Sequence, residues 1–188
     1  MNPPVVVISG PPASGKTTVA DFLATEVGLP LIARDEIKEL VLDLLGAGDV
    51  AWSKRIGGVS YELLYQAVER ELRVGRSFIV ESNFPSVYGR TRLLELRERY
   101  SYQPLEIHCT ASKETLIGRY RARASTRHPG HNDVDRVGEV EAAVDGGTHR
   151  QLQLGGGVIV LDTTDGEAIG LDAVLAAVRD HLADDRPT

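Results

Sequence analysis

The sequence predicts an α/β fold, a five-stranded parallel sheet with helices packed on both faces. Three observations carry this expectation. Short continuous apolar runs at 5–8, 78–80 and 158–161, and the strand-like stretch 105–109, recur between longer segments whose apolar residues fall at helical spacing. The first run empties into a glycine-rich turn, Gly10 to Gly15, which opens directly on the first helical segment. Strands that alternate with helices need right-handed crossovers, and these build parallel sheets rather than hairpins.

The elements follow in order. Val5 to Ile8 is apolar at every position, as a strand buried on both faces should be. Val19, Phe22, Leu23 and Val27 mark a helix that Gly28 and Pro30 stop, and a short strand spans Leu31 to Ala33. Ile37, Leu40, Val41, Leu44 and Leu45 mark a second helix, closed by Gly46 and Gly48. Residues 46–60, with Trp52, Lys54 and Arg55, read as a loop. Tyr61, Leu64, Tyr65, Val68 and Leu72 then repeat at i, i+3, i+4, i+7 and i+11, an amphipathic helix ended by Gly75. The strand Phe78 to Val80 runs into Glu81-Ser82-Asn83, a helix lies around Leu93 to Arg99, and Leu105 to Cys109 form the next strand. Ser112 caps an arginine-loaded helix. The acidic segment 132–147 reads as helix and loop. Val158 to Leu161 is the last strand, and Leu171, Val174, Leu175, Val178 and Leu182 carry the last helix. With no repeat, low-complexity tract or linker, residues 1–188 read as one domain with a frayed tail, Asp184 to Thr188.

Composition narrows the function. A chain of 188 residues, 42% hydrophobic and 26% charged, suits one well-cored domain. The net charge of −6 argues against duplex nucleic acid as the main partner, because counterion release needs a basic surface. A local basic patch at 119–127 is compatible with that balance. The single cysteine, Cys109, allows no internal disulfide, and neither a basic leader nor a long apolar run is present. A cytoplasmic protein without a membrane span is expected.

The stretch Gly10-Pro11-Pro12-Ala13-Ser14-Gly15-Lys16-Thr17 matches the phosphate-binding pattern G-x-x-x-x-G-K-[ST] at every fixed position, with a strand before it and a helix after it. Glycines let backbone N–H groups turn inward as an anion nest, and the helix starting near Lys16 adds its positive dipole end. Gly10, Ala13, Ser14, Gly15, Lys16, Thr17 and Thr18 are therefore expected to hold a nucleotide. Lys16 reaches the β- and γ-phosphates and the Thr17 hydroxyl ligates Mg²⁺. A GTPase would carry a guanine-reading N-K-x-D, which is absent. Asp43-Leu44-Leu45-Gly46 fits D-x-x-G in letters only, since its leucines lie on the apolar face of a helix. Small size and a late arginine-rich helix point to the nucleoside and nucleotide kinase type of P-loop NTPase.

Taken together, "GPPASGKTT", "ARDEIK", "VESNF" and "RYRARASTRHPGH" resemble the P-loop phosphotransferases grouped around polynucleotide 5′-hydroxyl kinase, with chloramphenicol phosphotransferase and zeta toxin as more distant relatives. The likeness spans most of residues 5–165 and implies the strand order 2-3-1-4-5. It also implies that Asp35, directly after the second strand, accepts the proton of the attacking hydroxyl. A carboxylate at the open carboxyl edge of the sheet suits that task, although an aspartate there also suits a plain helix cap. By the same resemblance Arg119 flanks the adenine and Arg123 touches the phosphates, within a lid over 112–135 that also holds Arg127. Arg121, on another face, reads as solvated. Glu81 occupies the strand-end position of an acidic Mg²⁺ partner, though many P-loop proteins place Asp there. Asn83, Arg34 and Arg90 are candidates for contacting the acceptor.

Other residues support weaker assignments. His128 and His131 belong to a lid turn at Gly130 rather than to a metal site. Small kinases place acceptor binding between the base-bearing helix and the third strand, here residues 46–66. Trp52 there could stack on a ring and Arg55 could hold a phosphate. The expected activity is Mg²⁺- and ATP-dependent transfer of the γ-phosphoryl group to a hydroxyl of a nucleoside-like or other small-molecule acceptor. A polynucleotide 5′-hydroxyl kinase is one alternative. The other is a nucleotide-binding regulatory module that hydrolyses ATP slowly.

Overall fold

The computed structural model describes residues 2–166 and 170–183, so the expected frayed tail lies outside the described residues. In chain order the elements are β1 (Pro4–Ser9), α1 (Lys16–Val27), β2 (Leu31–Ala33), α2 (Arg34–Leu45), α3 (Val50–Arg73), β3 (Phe78–Glu81), α4 (Ser86–Tyr100), β4 (Gln103–Thr110), α5 (Lys113–Arg123), α6 (Val137–Asp145), β5 (Gly157–Asp162) and α7 (Leu171–Ala183). Two 3₁₀ turns, Pro129–His131 and Val134–Arg136, link α5 to α6.

All strand pairings are parallel and the sheet order is β2-β3-β1-β4-β5, as the resemblance implies. The central strand β1 is buried at every residue, which explains its unbroken apolar pattern. One sheet face carries Val5, Val7, Phe78 and Val80 against Leu64, Val68 and Leu72 of α3 and Leu93 and Leu96 of α4. The other carries Val6, Ile8, Ile79 and Ile107 against Val19 and Leu23 of α1 and Val174 and Val178 of α7. Because β3 pairs directly with β1, Glu81 ends its strand beside Ile8, next to the turn that holds the phosphate motif.

Only residues 46–49 of the stretch 46–60 form a loop; the rest is helical. Helix α3 begins at Val50, where the Asp49 side chain accepts from the Trp52 backbone N–H at 2.8 Å. The residues buried along this first half, Ser53, Ile56, Gly57 and Ser60, continue the helical spacing that Leu64 and Val68 display. Three of those four are small or hydroxylated, so the hydrophobic period vanishes although the buried face persists. They are small because α2 packs there: buried Lys38 donates to Ser53 Oγ at 2.8 Å, and Arg34 lies over Gly57.

Candidate active site

The glycine-rich turn joining β1 to α1 is built from left-handed backbone. Ala13 has φ 65°, Gly15 φ 77° and Gly10 φ 139°. A Cβ on Gly10 would stand 2.1 Å from the Cys109 carbonyl oxygen, so the turn passes too close to β4 for any side chain there. Ser14 is wholly buried, and its Oγ has no hydrogen-bond partner among the described residues. An orphaned hydroxyl inside a nest of amides is the mark of a cradle shaped for an anion. Beside it a cavity of about 480 Å³ is lined by Ala13, Gly15, Lys16, Thr17, Thr18, Arg119, Ala122 and Arg123. The residues present thus fit a nucleotide polyphosphate.

Lys16 is buried, with Nζ 3.3 Å from the Pro11 carbonyl and 3.9 Å from Glu81 Oε1. Burial lowers its pKa, a trend that the Glu81 carboxylate partly opposes. Burial likewise pushes the Glu81 carboxyl up to about 7 against the pull of Lys16. Two oxygen-bearing side chains, Thr17 at the start of α1 and Glu81 at the end of β3, flank this lysine and are suited to a hard divalent cation.

Asp35 sits in the first turn of α2 but makes no side-chain cap; the N-cap residue is Ala33. Its carboxylate instead accepts from Arg34 Nη1 at 2.9 Å and from Arg127 Nη2 in a very close ion pair. Burial alone would raise its pKa. The guanidinium of Arg127, with Arg34 and Lys16 adding to it, wins and holds the carboxyl well below the usual carboxylate range. Asp35 thus lies in one cluster with Lys16, Arg34, Lys38, Asn83, Arg123, Arg127 and Arg136 around a gap of only about 60 Å³.

The segment 112–135 closes over this cluster. Ser112 caps α5 by accepting from the Thr115 N–H, as expected. Arg119 donates to Thr163 Oγ1 and to the Thr163 carbonyl at 3.0 and 2.7 Å, and Thr163 in turn donates to the Ser14 carbonyl. This arginine ties α5 to the rim of the cradle. Arg123 borders both cavities, and its Nε is buried with no hydrogen-bond partner among the described residues. Arg127 does not extend the face of α5, because the helix ends at Arg123 and a turn closed by Arg127 N–H to the Arg123 carbonyl carries it inward. There it pairs with Asp35 and with Asp133. Arg121 is exposed and pairs with Glu141, in keeping with a solvated side chain. His128 and His131 donate from Nε2 to separate acidic neighbours, Asp43 and Glu39, and no group of three or more His, Cys, Asp and Glu that could hold a metal ion occurs among the described residues.

Three residues expected to contact the acceptor stand outside the cluster around Asp35. Trp52 turns its indole N–H onto the Gly46 carbonyl at 2.9 Å, securing the α2–α3 turn. Arg55 is exposed on α3, on the side away from the face that buries Ser53 and Ile56. Arg90 lines a different cavity, with His108 and Arg150. Asn83 does join the cluster, its Oδ1 accepting from Tyr61 OH at 2.8 Å, and Arg34 stacks over the Tyr61 ring at 4.7 Å.

Several members of the cluster went unrecognised in the sequence. Lys38 is 1% exposed, and burial, then Arg34, lowers its pKa to about 8. Its spacing from Arg34 and Asp35 puts all three on one face of α2, which is the signal that could have found it. Burial, then Arg127, pushes the His131 imidazole down to about 3. Asp133 accepts from both Tyr120 and Arg127.

Fold and cradle together define a P-loop nucleotide-binding protein with a kinase-like architecture. Residues 5–144 match the family model described as AAA domain, and the chain belongs to that family. The crystal structure of a "putative kinase" from Chloroflexus aurantiacus j-10-fl is 37% identical, covers 97% of this chain and 100% of its own, and superposes with a TM-score of 0.88. A sugar kinase from Janibacter sp. HTCC2649, 20% identical over the full length of both chains, shares the fold with a TM-score of 0.61. Among curated proteins, RuvB, a Holliday junction branch migration complex subunit of Salinispora tropica, is 38% identical over 142 residues, 62% of this chain and 40% of its own. Cytidylate kinase of Ignicoccus hospitalis is 33% identical over 78 residues, 42% of this chain and 41% of its own. The chain therefore spans about two fifths of the length of these two curated relatives. No described helix is long and apolar enough to cross a membrane.

Proposed function

We propose that the protein is a Mg²⁺- and ATP-dependent phosphotransferase acting on the hydroxyl of a small-molecule acceptor. One observation carries this reading: Asp35, at the carboxyl edge of the sheet, is gathered into the same cluster as the cradle lysine and two arginines of the segment 112–135. Nucleotide binding alone would not call for a carboxylate there, whereas phosphoryl transfer to an alcohol does. The names of the Chloroflexus, Janibacter and Ignicoccus proteins, a "putative kinase", a sugar kinase and a cytidylate kinase, support the same class.

In this reading Lys16 and the amides of residues 13–17 hold the β- and γ-phosphates. Thr17 and Glu81 hold the magnesium ion, which when bound neutralises charge across those phosphates. The acceptor oxygen bonds to the γ-phosphorus as the bond from that phosphorus to the β–γ bridging oxygen breaks, and ADP leaves with the bridging oxygen. Asp35 orients the hydroxyl and takes its proton. Arg123 and Arg127 stabilise the charge on the transferring group, and Arg119 holds α5 against the cradle.

The test is transfer from γ-labelled ATP with Mg²⁺ to a panel of nucleosides, sugars, hydroxylated antibiotics and a 5′-hydroxyl oligonucleotide, with Asp35→Asn alongside. Label on a small alcohol that disappears in Asp35→Asn is expected. Label on the oligonucleotide alone would replace the acceptor class. Label released only as phosphate, at equal rates in both proteins, would replace the kinase with a slow ATPase.

A further inference from the structure

A second cavity lies beside the cradle, on the sheet face covered by α3 and α4. It measures about 660 Å³ and is lined by Val87, Arg90 and Thr91 of α4, His108 of β4, and Arg150, Gln151 and Gln153 of the connection between α6 and β5. Its walls are basic and amide-bearing, with no carboxylate among them. Most arginines of the chain are taken up by acids or carbonyls. Arg90 and Arg150 are not: among the described residues neither has an ion pair or a side-chain hydrogen bond. Glu106, 3.8 Å from His108 Nδ1, is 1% exposed, and its oxygens accept from Ser9 Oγ and from the N–H groups of Leu152 and Gln153.

The floor histidine has a defined protonation pattern. The Ser9 hydroxyl has one proton and gives it to Glu106, so the 2.9 Å contact between Ser9 Oγ and His108 Nδ1 is donated by the ring. That leaves Nε2 for the cavity. Position ties the cavity to the cluster around Asp35. Ser9 directly precedes Gly10 and is the register partner of His108. His149, next to Arg150, is bonded to the Asn83 carbonyl. Burial lowers its pKa, a trend that the hydrogen bond to the Asn83 carbonyl opposes.

We infer that this cavity binds an anionic group, phosphate or carboxylate, of the acceptor whose hydroxyl reaches Asp35. Resting on the phosphotransferase reading above, this makes the acceptor an acidic alcohol rather than a neutral one. Two guanidiniums with no internal counter-charge, set beside the side-chain amides of Gln151 and Gln153, match a doubly accepting oxyanion. A neutral nucleoside would leave both arginines without a partner.

The test uses the full chain saturated with ADP and Mg²⁺, so that the cradle is filled by its own phosphates, with histidine-selective isotope labelling. ADP affinity is measured first. Glycerol, glycerate and glycerol 3-phosphate are then titrated at constant ionic strength while the His108 ring resonances are followed. Saturable shifts are expected with an anionic probe and not with glycerol, and the tighter of the two anions tells phosphate from carboxylate. In Arg90→Gln/Arg150→Gln the anion dissociation constant should rise at least tenfold while ADP affinity holds. Normal ADP binding with a silent His108, or shifts of undiminished affinity in the double variant, overturns the anion site alone. Failure to bind ADP removes the phosphotransferase reading and the acceptor assignment with it.

Discussion

Asp35→Asn separates the roles that the cluster assigns to one side chain. The substitution keeps the shape and removes the charge that Arg34 meets at 2.9 Å and that Arg127 also pairs with. Unit charges about 4 Å apart interact by about 4 kcal/mol at an effective dielectric of about 20. The Asp35 side chain is 35% exposed, so solvent screens much of that, and a net loss of ~1–2 kcal/mol follows. For a domain of this size the melting temperature should fall by roughly 2–8 °C near neutral pH. Because the folded carboxyl titrates below its ordinary value of 3.8, this contribution is present above that pH and disappears as the pH falls below it. The difference between wild type and variant should therefore close below about pH 4. ATP affinity should hold or increase, since an anion beside the γ-phosphate has gone. Transfer should drop by roughly 10²–10⁴-fold, about 3–5 kcal/mol of barrier. Thermal melts with and without ATP and Mg²⁺, together with γ-label transfer, read all of these effects. Retained transfer would refute the base role. A collapse of ATP affinity would reduce Asp35 to a structural counter-ion.

Three further outcomes follow from the same geometry. Gly10→Ala would press a Cβ to 2.1 Å from the Cys109 carbonyl at φ 139°, and should cost roughly 2–6 kcal/mol in thermal denaturation; a stability within 1 kcal/mol of wild type would mean the turn is looser than described. Glu106→Gln places an amide donor against backbone donors at Leu152 and Gln153, so about 2–3 kcal/mol of stability should be lost and amide exchange over 150–156 should quicken; unchanged exchange there would contradict the pinning role. Burial holds the Glu81 carboxyl near 7, so the folded state keeps a proton that the unfolded chain, titrating near 4.5, has released. Stability of the ligand-free wild type should therefore decline as pH rises from about 4.5 to 7, Glu81→Gln should lack that slope, and Mg²⁺ with ADP should flatten it in the wild type; identical pH profiles would place Glu81 outside the lysine's field.

How far the structure could be foreseen depended on where each signal resides. β1 and β3 are buried on both faces and announce themselves as unbroken apolar runs, whereas β4, equally buried, interleaves Glu106 and His108 with Leu105, Ile107 and Cys109. The cradle is a local motif whose spacing is its own geometry. The first half of α3 was hidden because its buried face is made of Ser53, Gly57 and Ser60, chosen to let α2 and Arg34 approach rather than to be apolar. The cluster around Asp35 was half legible. Asp35 and Lys16 sit at motif positions, but Arg127 and His131 reach Asp35 and Glu39 across 92 residues, and only the folded lid brings them together. Trp52 and Arg55 were over-read for a related reason. A loop would have freed them to face a ligand, whereas a helix fixes one at the α2–α3 turn and the other in solvent.

On the phosphotransferase reading proposed above, the placement of Arg127 would couple the two substrates. A carboxylate held far below its usual range is a poor proton acceptor, and here Arg127 is the leading cause of that depression after burial has pulled the other way. The gap around Asp35 is also too small, at about 60 Å³, for an acceptor to enter while the guanidinium stays. Phosphates in the cradle offer Arg127 more negative charge than one carboxylate does, and its position on a turn beyond the end of α5 lets it move without unwinding the helix. When it moves, Asp35 gains basicity and room together. On that reading the arginine that steadies the transferring group would also keep the base silent until a nucleotide is bound, restraining proton abstraction from a stray hydroxyl when no phosphoryl donor is present.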